Sequence, residues 1–545
     1  MSESTPESAG HGNREIEWQL QCNDLVAVRH WLEGNPPLEG LVIEPLPTLE
    51  IHDTYLDTDD WRLHRAGLAL RLRAQDRKVE ATLKSLEPAS DARADRFEVS
   101  ESLPEATPRT LEHAPGPVGS RVRAVSGSQG LRPLFEVRTE RQRYAVRRPG
   151  TDPALAEIDL DESEFTPPEG QDPSGALRRV EVEAINAPDE ALPALVETLR
   201  TECALTPATD SKFEQGLRSA GLSPTSPRVF EPTIVHAGMT LQQVAFANLR
   251  RHLSAWYAQE LRARLGDDPR AVHELRNAGR RLDAILGEFR EHLPGPLFQL
   301  RASFKPLLRA LGEVRDLDVA LEELEGFAHR MNPLEREALE PLGSHLRDAR
   351  RAAHTRLLQE LDVPATHRTL EWLAQALDDG AGGAQAAGGE PVLIAAPGLL
   401  EARWRKVRKA ARRLGTDSSP ADYHRVRRRL KKLRYLLETV TPLYHRRAER
   451  ALQALRRWQD TLGALQDAAV SSDSLKAMAS SPDQRFAPAT LLLMGRLLEH
   501  HERAARRARD RQRKRCRRFQ RRWRQLSRRL RNIAGHAAAP PSFQG

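Results

Sequence analysis

Polar and apolar residues alternate through the N-terminal part of the chain with the period of a β-strand. Glu15, Glu17, Gln19 and Gln21 interleave with Ile16, Trp18 and Leu20. Arg71 and Arg73 then share one strand face while Leu70 and Leu72 share the other. The same alternation groups Glu80, Thr82 and Lys84; Arg96 and Glu98; Arg141 and Arg143; Glu157, Asp159 and Asp161; and Glu181 and Glu183. Leu25 to Leu32 predicts a short helix between strands. The Pro- and Gly-bearing stretches Pro104 to Pro133 and Thr166 to Gly175 predict loops.

Residues 223–233 predict a linker, after which the period changes to that of helices. Helices are expected over Met239–Arg264, Val272–His292, Leu300–Gly326, Leu334–Leu361, His367–Leu377, Leu399–Leu414 and Arg503–Arg531. The chain therefore predicts two domains, 14–222 and 234–531, with disordered ends at 1–13 and 532–545. A Gly/Ala linker at 378–391 divides the second domain into copies at about 234–377 and 392–531.

That division is supported by a repeat. In the stretch Tyr423 to Val440, the positions His424, Arg427, Lys431 and Arg434 fall on one helix face, and Val426, Leu430, Leu433, Leu437 and Val440 on the other. His273, Arg276 and Arg280 repeat the first three of these basic positions, and Asp283 stands where the fourth would be. LGEVRDLDV from Leu311 is echoed by LGALQDAAV from Leu462, at matched distance from each histidine. Like charges one turn apart destabilise a helix, so a column of cations predicts an anionic partner. His273 and His424 stand among cations, which disfavours metal ligation. Asp316, Asp318 and Asp467 are expected to orient arginines. Lys305 and Arg309 add to the basic set.

Charge extends the same picture. The net charge is +8, with 29% of residues Asp, Glu, Lys or Arg, which favours polyanionic partners. Three distant cysteines suggest neither a disulfide framework nor a zinc site. The N-terminus has no apolar signal region and the chain no membrane-length apolar run. A cytoplasmic protein with no membrane association and no obligate protein partner is expected. No Gly-rich phosphate loop, nucleophile elbow or paired-Cys metal site is present. Sixteen Arg or Lys residues lie between Arg503 and Arg531, with Phe519, Trp523, Leu526 and Leu530 at helical spacing. This helix reads either as a solvated closing helix or as a further polyanion face open to nucleic acid.

The N-terminal strands are ionisable face after face, in both signs. One reading is an antiparallel sheet with one wet face. The other is a closed barrel lined with charge, its cations for phosphate and its carboxylates for a hard divalent metal. From about Arg14 to Leu217 the chain resembles the CYTH family of triphosphate tunnel enzymes. The family's E-x-E-x-K is here Glu15-Ile16-Glu17-Trp18-Gln19. The later segment is kept as Tyr55, Asp57, Thr58, Leu63, Gly67, Leu70, Arg71 and Arg73, and Ser211-Lys212-Phe213-Glu214 resembles the element that closes the domain. The resemblance implies an antiparallel β-barrel tunnel. It implies Mg²⁺ or Mn²⁺ held by Glu15, Glu17, Glu181 and Glu183, and phosphates clamped by Arg71, Arg73, Lys84, Arg96, Arg141 and Lys212. Glu157 and Asp161 are candidate general bases. Gln19 brings no charge where the family has lysine. That weakens substrate binding, is offset by a neighbouring cation, or marks a barrel that binds without turnover.

From about Ile234 to Arg531 the duplicated motifs resemble the CHAD domain, which implies two four-helix units binding inorganic polyphosphate. The fold class expected is α+β and multidomain, a barrel tunnel with flanking helices followed by an all-α duplicated bundle. The function expected is metal-dependent hydrolysis of inorganic triphosphate with polyphosphate binding, in the cytoplasm or at polyphosphate granules. The alternatives are a non-catalytic polyphosphate-binding protein and nucleic-acid binding through the Arg-rich helix.

Overall fold

The computed structural model describes residues 13–34, 40–75, 78–86, 93–150, 153–167, 175–185, 191–208, 210–226, 228–378, 389–415, 418–481 and 486–538. It divides into two compact units, Met1–Pro227 and Arg228–Gly545. The disorder expected for 1–13, most of the Gly/Ala linker and most of the loop after Thr166 lie outside the described residues, except that Asn13 already belongs to the first strand.

The first unit is a nine-stranded antiparallel sheet: β1 (Asn13–Gln21), β2 (Val42–Thr58), β3 (Leu68–Gln75), β4 (Lys78–Ser85), β5 (Arg93–Leu103), β6 (Leu131–Arg147), β7 (Ala156–Thr166), β8 (Ala176–Ala184) and β9 (Thr206–Pro207). Their order is β5-β4-β3-β2-β6-β7-β8-β1-β9, and β1 also pairs with β5 from Asn13↔Glu98 to Trp18↔Arg93. That last pairing closes the sheet into a barrel and removes its open edges.

Except at one apolar end, the barrel is polar inside and apolar outside. Trp18, Leu20, Ile158, Leu160, Val180 and Val182 pack outward beneath α1 (Leu25–Glu33) and α5 (Ala191–Glu202), against Leu25, Val28, Leu195 and Leu199. At one end of the barrel interior Tyr55, Phe135, Val137 and Phe165, which share strand faces with Arg71 and Arg141, pack against Phe213 and Leu217 of α6 (Lys212–Ser219). Burying each large apolar side chain is worth about 1.5–3 kcal/mol, so the flanking helices hold the charged faces inward.

The expected loop 104–133 instead contains α3 (Pro108–His113) and α4 (Pro117–Ser126), with Leu111, Val118, Val122 and Val125 buried and α4 packed on β4 and β5. The prolines that suggested a loop occupy the first turns of these helices, where a missing N–H costs nothing. A short helix α2 (Arg62–Arg65) follows β2. Asp57 of the Tyr55-Asp57-Thr58 motif accepts from the backbone N–H groups of Thr58, Leu63 and His64, which fixes this turn. Gly67, at φ +82°, returns the chain into β3.

The second unit is all helical. The first copy contains α7 (Leu241–Leu265), α8 (Pro269–Glu288), α9 (Gly295–Ala328), α10 (Pro333–Asp362) and α11 (Pro364–Asp378). The second contains α12 (Val392–Ala411), α13 (Pro420–Ala479) and α14 (Pro488–Ala538). Helix α13 is broken at His445, at φ 49° and ψ −143°, three residues after Pro442. Its halves thus correspond to α8 and α9, giving each copy the same hairpin. Leu275, Leu282, Leu286, Leu430, Leu433 and Leu437 share one core with Trp256 and Trp458.

Helix α14 runs to Ala538, past the expected end at Arg531. Phe519 and Trp523 are buried against Trp404, with ring centroids 5.1 and 5.5 Å away. The apolar stripe of this helix is therefore core, and most of its arginines face outward. Among the described residues no helix is long and apolar enough to cross a membrane. Cys22, Cys203 and Cys516 are free thiols.

Candidate functional site

The barrel encloses a cavity of about 530 Å³. Of the residues expected there, Glu17, Arg71, Arg73, Lys84, Arg96, Arg141, Glu181, Glu183 and Lys212 all line it. Strand pairing brings them together: Glu17 lies opposite Glu183 and Gln19 opposite Glu181 on β1 and β8, and Lys84 lies opposite Glu98 on β4 and β5. Glu15 sits on β1 opposite Arg96, but its side chain lies outside the described residues.

The charges form three groups. In the first, Glu17 is buried and lies 3.0 Å from Lys84 Nζ and 3.5 Å from Arg96 Nη1, while Gln19 Nε2 donates to it at 3.0 Å. In the second, Arg141 pairs with Asp159, with Asp161 at 2.7 Å and with Glu181 at 2.8 Å. Lys212 joins this group through Asp161 and lies 3.4 Å from Glu181. In the third, Arg73 grips Asp53 through two hydrogen bonds of 2.8 and 2.9 Å, with Arg71 at 3.9 Å.

Electrostatics follow this geometry. Burial would raise the Asp53 carboxyl, but Arg71 and Arg73 outweigh it and hold it below the usual range. Burial likewise opposes Glu181, and Lys212 and Arg141 pull it low. Asp159 goes the other way: burial, only partly offset by Arg141, raises its carboxyl, and the neighbouring Asp161 and Glu181 add to the rise. The Arg141 guanidinium is raised, its desolvation outweighed by Asp161 and Glu181.

Local structure aims Lys212. Ser211 caps α6 by accepting from the Glu214 N–H, and Glu214 returns a bond to the Ser211 N–H. Phe213 packs between Tyr55 and Phe135, at 5.6 and 6.0 Å between centroids. The Ser-Lys-Phe-Glu element is thus a cap, a cation, an anchor and a reciprocal cap.

The two candidate bases do not line the cavity. Glu157 is held by both nitrogens of Arg143, and Asp161 is fully buried between Arg141 and Lys212. Their charges are already answered by protein cations. Sequence reading also passed over Asp53 and Arg179. Arg179 continues the alternating face already recognised at Glu181 and Glu183, which could have found it, whereas Asp53 lies on β2, where no alternation was read.

Divalent metal fits part of this wall. Among the described residues no three Asp, Glu, His or Cys side chains converge as a ready cage. Mg²⁺, however, is commonly bound through one or two carboxylates plus substrate phosphate oxygens. Glu17 and Glu183, opposed in register, supply such a pair.

In the helical unit the two basic columns meet. Arg276 lies 3.7 Å from Asp316, and Arg427 lies 3.7 Å from Asp467. Lys431 is pushed down to about 7 by burial, then by Arg427, Arg280, Arg276 and Arg434. Cations of both copies thus converge on it. Arg276 falls to about 10, through burial and then Arg280. His424 Nδ1 lies 2.9 Å from Gln466 Oε1, and His273 is lowered by burial and by Arg315, the counterpart of Gln466. Asp283, the departure from the repeat, accepts from Arg301 at 2.8 Å, and Asp318 pairs with Arg350. Lys305 and Arg309 stand exposed on α9 and share none of these contacts. A cavity of about 610 Å³ beside the cluster is lined by Arg427, Asp467, Glu323, Asp460 and His501 among others.

Comparison with known proteins agrees with this division. Residues 33–217 match the CYTH domain and residues 247–476 the CHAD domain. No curated protein matches the chain. Among solved structures, the CHAD domain from the plant Ricinus communis is 25% identical, covers 52% of this chain and 96% of its own, and gives a TM-score of 0.43. The adenylyl cyclase-like protein HpAC1 from Hippeastrum, described as having a dominant triphosphatase activity, is 24% identical over 38% of this chain and 98% of its own, with a TM-score of 0.30. PptA from Streptomyces chartreusis is 22% identical over 52% of this chain and 100% of its own, with a TM-score of 0.38. A charged antiparallel barrel followed by a duplicated helical bundle, each matching its own family over most of its length, makes this chain a CYTH domain followed by a CHAD domain.

Proposed function

We propose that the barrel hydrolyses inorganic triphosphate with the help of Mg²⁺ or Mn²⁺, and that the helical unit binds inorganic polyphosphate. The observation that carries this reading is the convergence of Arg71, Arg73, Lys84, Arg96, Arg141 and Lys212 with Glu17, Glu181 and Glu183 on one cavity. Cations on several strands can hold a linear anion with successive charges in register. Guanidinium groups add bidentate hydrogen bonds to phosphate oxygens.

The residues present define the chemistry. Arg71 and Arg73, pinned by Asp53, are pre-oriented to take phosphate oxygens without losing much side-chain freedom. Arg141 and Lys212 approach from the other wall and would stabilise charge on the phosphoryl group as it transfers. Glu17 and Glu183, with Glu15 and Glu181, would hold the divalent ion, which when bound neutralises phosphate charge and polarises oxygen. Asp159, its carboxyl raised by burial, is a group able to retain a proton beside Arg141.

Phosphate release from inorganic triphosphate, measured with Mg²⁺, with Mn²⁺ and with EDTA, tests the reading. Metal-dependent turnover supports it. Triphosphate binding without turnover would favour the non-catalytic alternative. The paired cations of the helical unit support polyphosphate as its ligand, and association with polyphosphate granules would follow from that.

A second reading, nucleic-acid binding through α14, is favoured by the exposure of Arg513, Lys514, Arg517 and Arg521. Deleting the helix would strip Phe519 and Trp523 from the core. The suitable test is to replace those four cations with Gln and measure DNA and RNA binding beside polyphosphate binding.

A further inference from the structure

Gln19, which lines the cavity, meets the buried Arg179 beside it. Arg179 shares the inward face of β8 with Glu181 and Glu183, and it is only 1% exposed. Its Nη1 donates to Gln19 Oε1 at 3.5 Å. Its Nη2 donates to the carbonyl of Asp210 at 2.5 Å, just before the Ser211 cap. Gln19 Nε2 in turn donates to Glu17 at 3.0 Å. The opposite amide orientation would set NH₂ against guanidinium and carbonyl against carboxylate, so these two neighbours select one orientation.

A lysine at position 19 would bring an ammonium into reach of a guanidinium that is already buried. Like charges in a poorly screened interior repel strongly, so Lys at 19 and Arg at 179 are alternatives. The Arg179 charge is felt at the cavity: burial would raise Glu181, and Lys212, Arg141 and then Arg179 outweigh it. A hydrogen-bonded chain also polarises its members. When Glu17 is engaged elsewhere, the Gln19 N–H, backed by a cation, is presented to an anion.

We propose that Arg179 is a positioning residue that supplies the positive charge absent from position 19 and delivers it to bound phosphate through the Gln19 amide. This inference rests on the triphosphate reading of the barrel. It differs from a purely structural role because it requires charge at 179, not only volume.

The test compares the parent with R179Q, R179K, Q19K and Q19K/R179Q. Hydrolysis of inorganic triphosphate with Mg²⁺, its binding by calorimetry in EDTA and thermal melting are measured for each. R179Q should raise KM by about tenfold, the order of one lost charge-assisted contact. R179K and Q19K/R179Q should restore most of that loss, and Q19K alone should bring no gain. A parental KM in R179Q, or a double variant no better than R179Q, overturns the proposal while leaving the triphosphatase reading intact. If R179Q melts early, the double variant decides, since it must show parental KM. A parent that neither binds nor hydrolyses triphosphate overturns the triphosphate reading itself, and this proposal with it.

Discussion

Lys84 Nζ lies 3.0 Å from Glu17 Oε1, so the cation proposed to clamp phosphate and the carboxylate proposed to hold metal answer each other's charge. Arg96 and Glu98 extend the arrangement, at 3.5 Å from Glu17 and from Lys84 respectively. A phosphate that engages Lys84 frees Glu17 for a cation, and a cation on Glu17 frees Lys84 for phosphate. Anion and metal are therefore expected to bind cooperatively.

Glu17→Ala should abolish triphosphate hydrolysis and, in EDTA, strengthen triphosphate binding, because Lys84 and Arg96 lose a competing carboxylate. Kinetics and calorimetry on the same preparation check both directions. An unchanged rate would show the site assignment to be wrong.

Gly216 and Phe135 set the position of α6. A Cβ on Gly216 would lie 2.1 Å from Phe135 Cε2, closer than atoms can approach. Gly216→Ala should force α6 off the barrel and destabilise the first unit by about 1–3 kcal/mol, as overpacking does. Because Lys212 opens this helix, turnover should fall with it. A parental melting curve for the variant would refute the prediction.

Lys431 makes the helical unit sensitive to pH. Its ammonium loses its proton at about 7, through burial first and then the cations Arg427, Arg280, Arg276 and Arg434, while Asp467 is the acid it faces. The folded value lies below the unfolded one, so the unfolded chain binds more protons between about 7 and 10.5 and stability rises with pH across that window. A bound polyanion restores the charged form. Polyphosphate affinity should therefore increase as pH falls through 7, with proton uptake on binding near that pH. Calorimetry in buffers of different ionisation enthalpy measures the uptake, and Lys431→Arg should remove it.

Replacing Arg427, Lys431 and Arg434 together with Gln should lower polyphosphate affinity by about 1,000-fold at moderate salt, on the order of 1.4 kcal/mol per lost charge. The dependence of affinity on salt should become shallower, since fewer counterions are displaced. Retained binding with a parental salt slope would place the polyphosphate site elsewhere. Triphosphate turnover in the barrel should stay at the parental rate.

Much of the site was legible because a strand has a period of two. Whatever the fold, Glu17 with Gln19, Arg71 with Arg73, and Glu181 with Glu183 had to share faces. Helical spacing likewise put His424, Arg427, Lys431 and Arg434 in one column, and the matched copy at His273, Arg276 and Arg280 followed from the repeat. The paired distances Arg276–Asp316 and Arg427–Asp467 are the structural counterpart of that repeat. The helices of 104–133 were hidden because proline at a helix start and proline in a loop look alike without the strands they cover.

Local period by itself determined which residues share a face. Only the tertiary structure decided which way each face points and what it meets. Closure of β1 onto β5 turned the charged faces inward, and the apolar cover of α1 and α5 kept them there. Gln19 reads as a lost charge in sequence, yet Arg179, 160 residues away, lies within hydrogen-bond reach. Glu157 and Asp161 read as candidate bases, yet their neighbours Arg143, Arg141 and Lys212 answer their charge. Lys431 reads as an ordinary cation until the opposite copy brings Arg276 and Arg280 beside it. The reason is common to all three: desolvation and Coulomb interaction depend on distance through space, and chain spacing constrains that distance only within a single element.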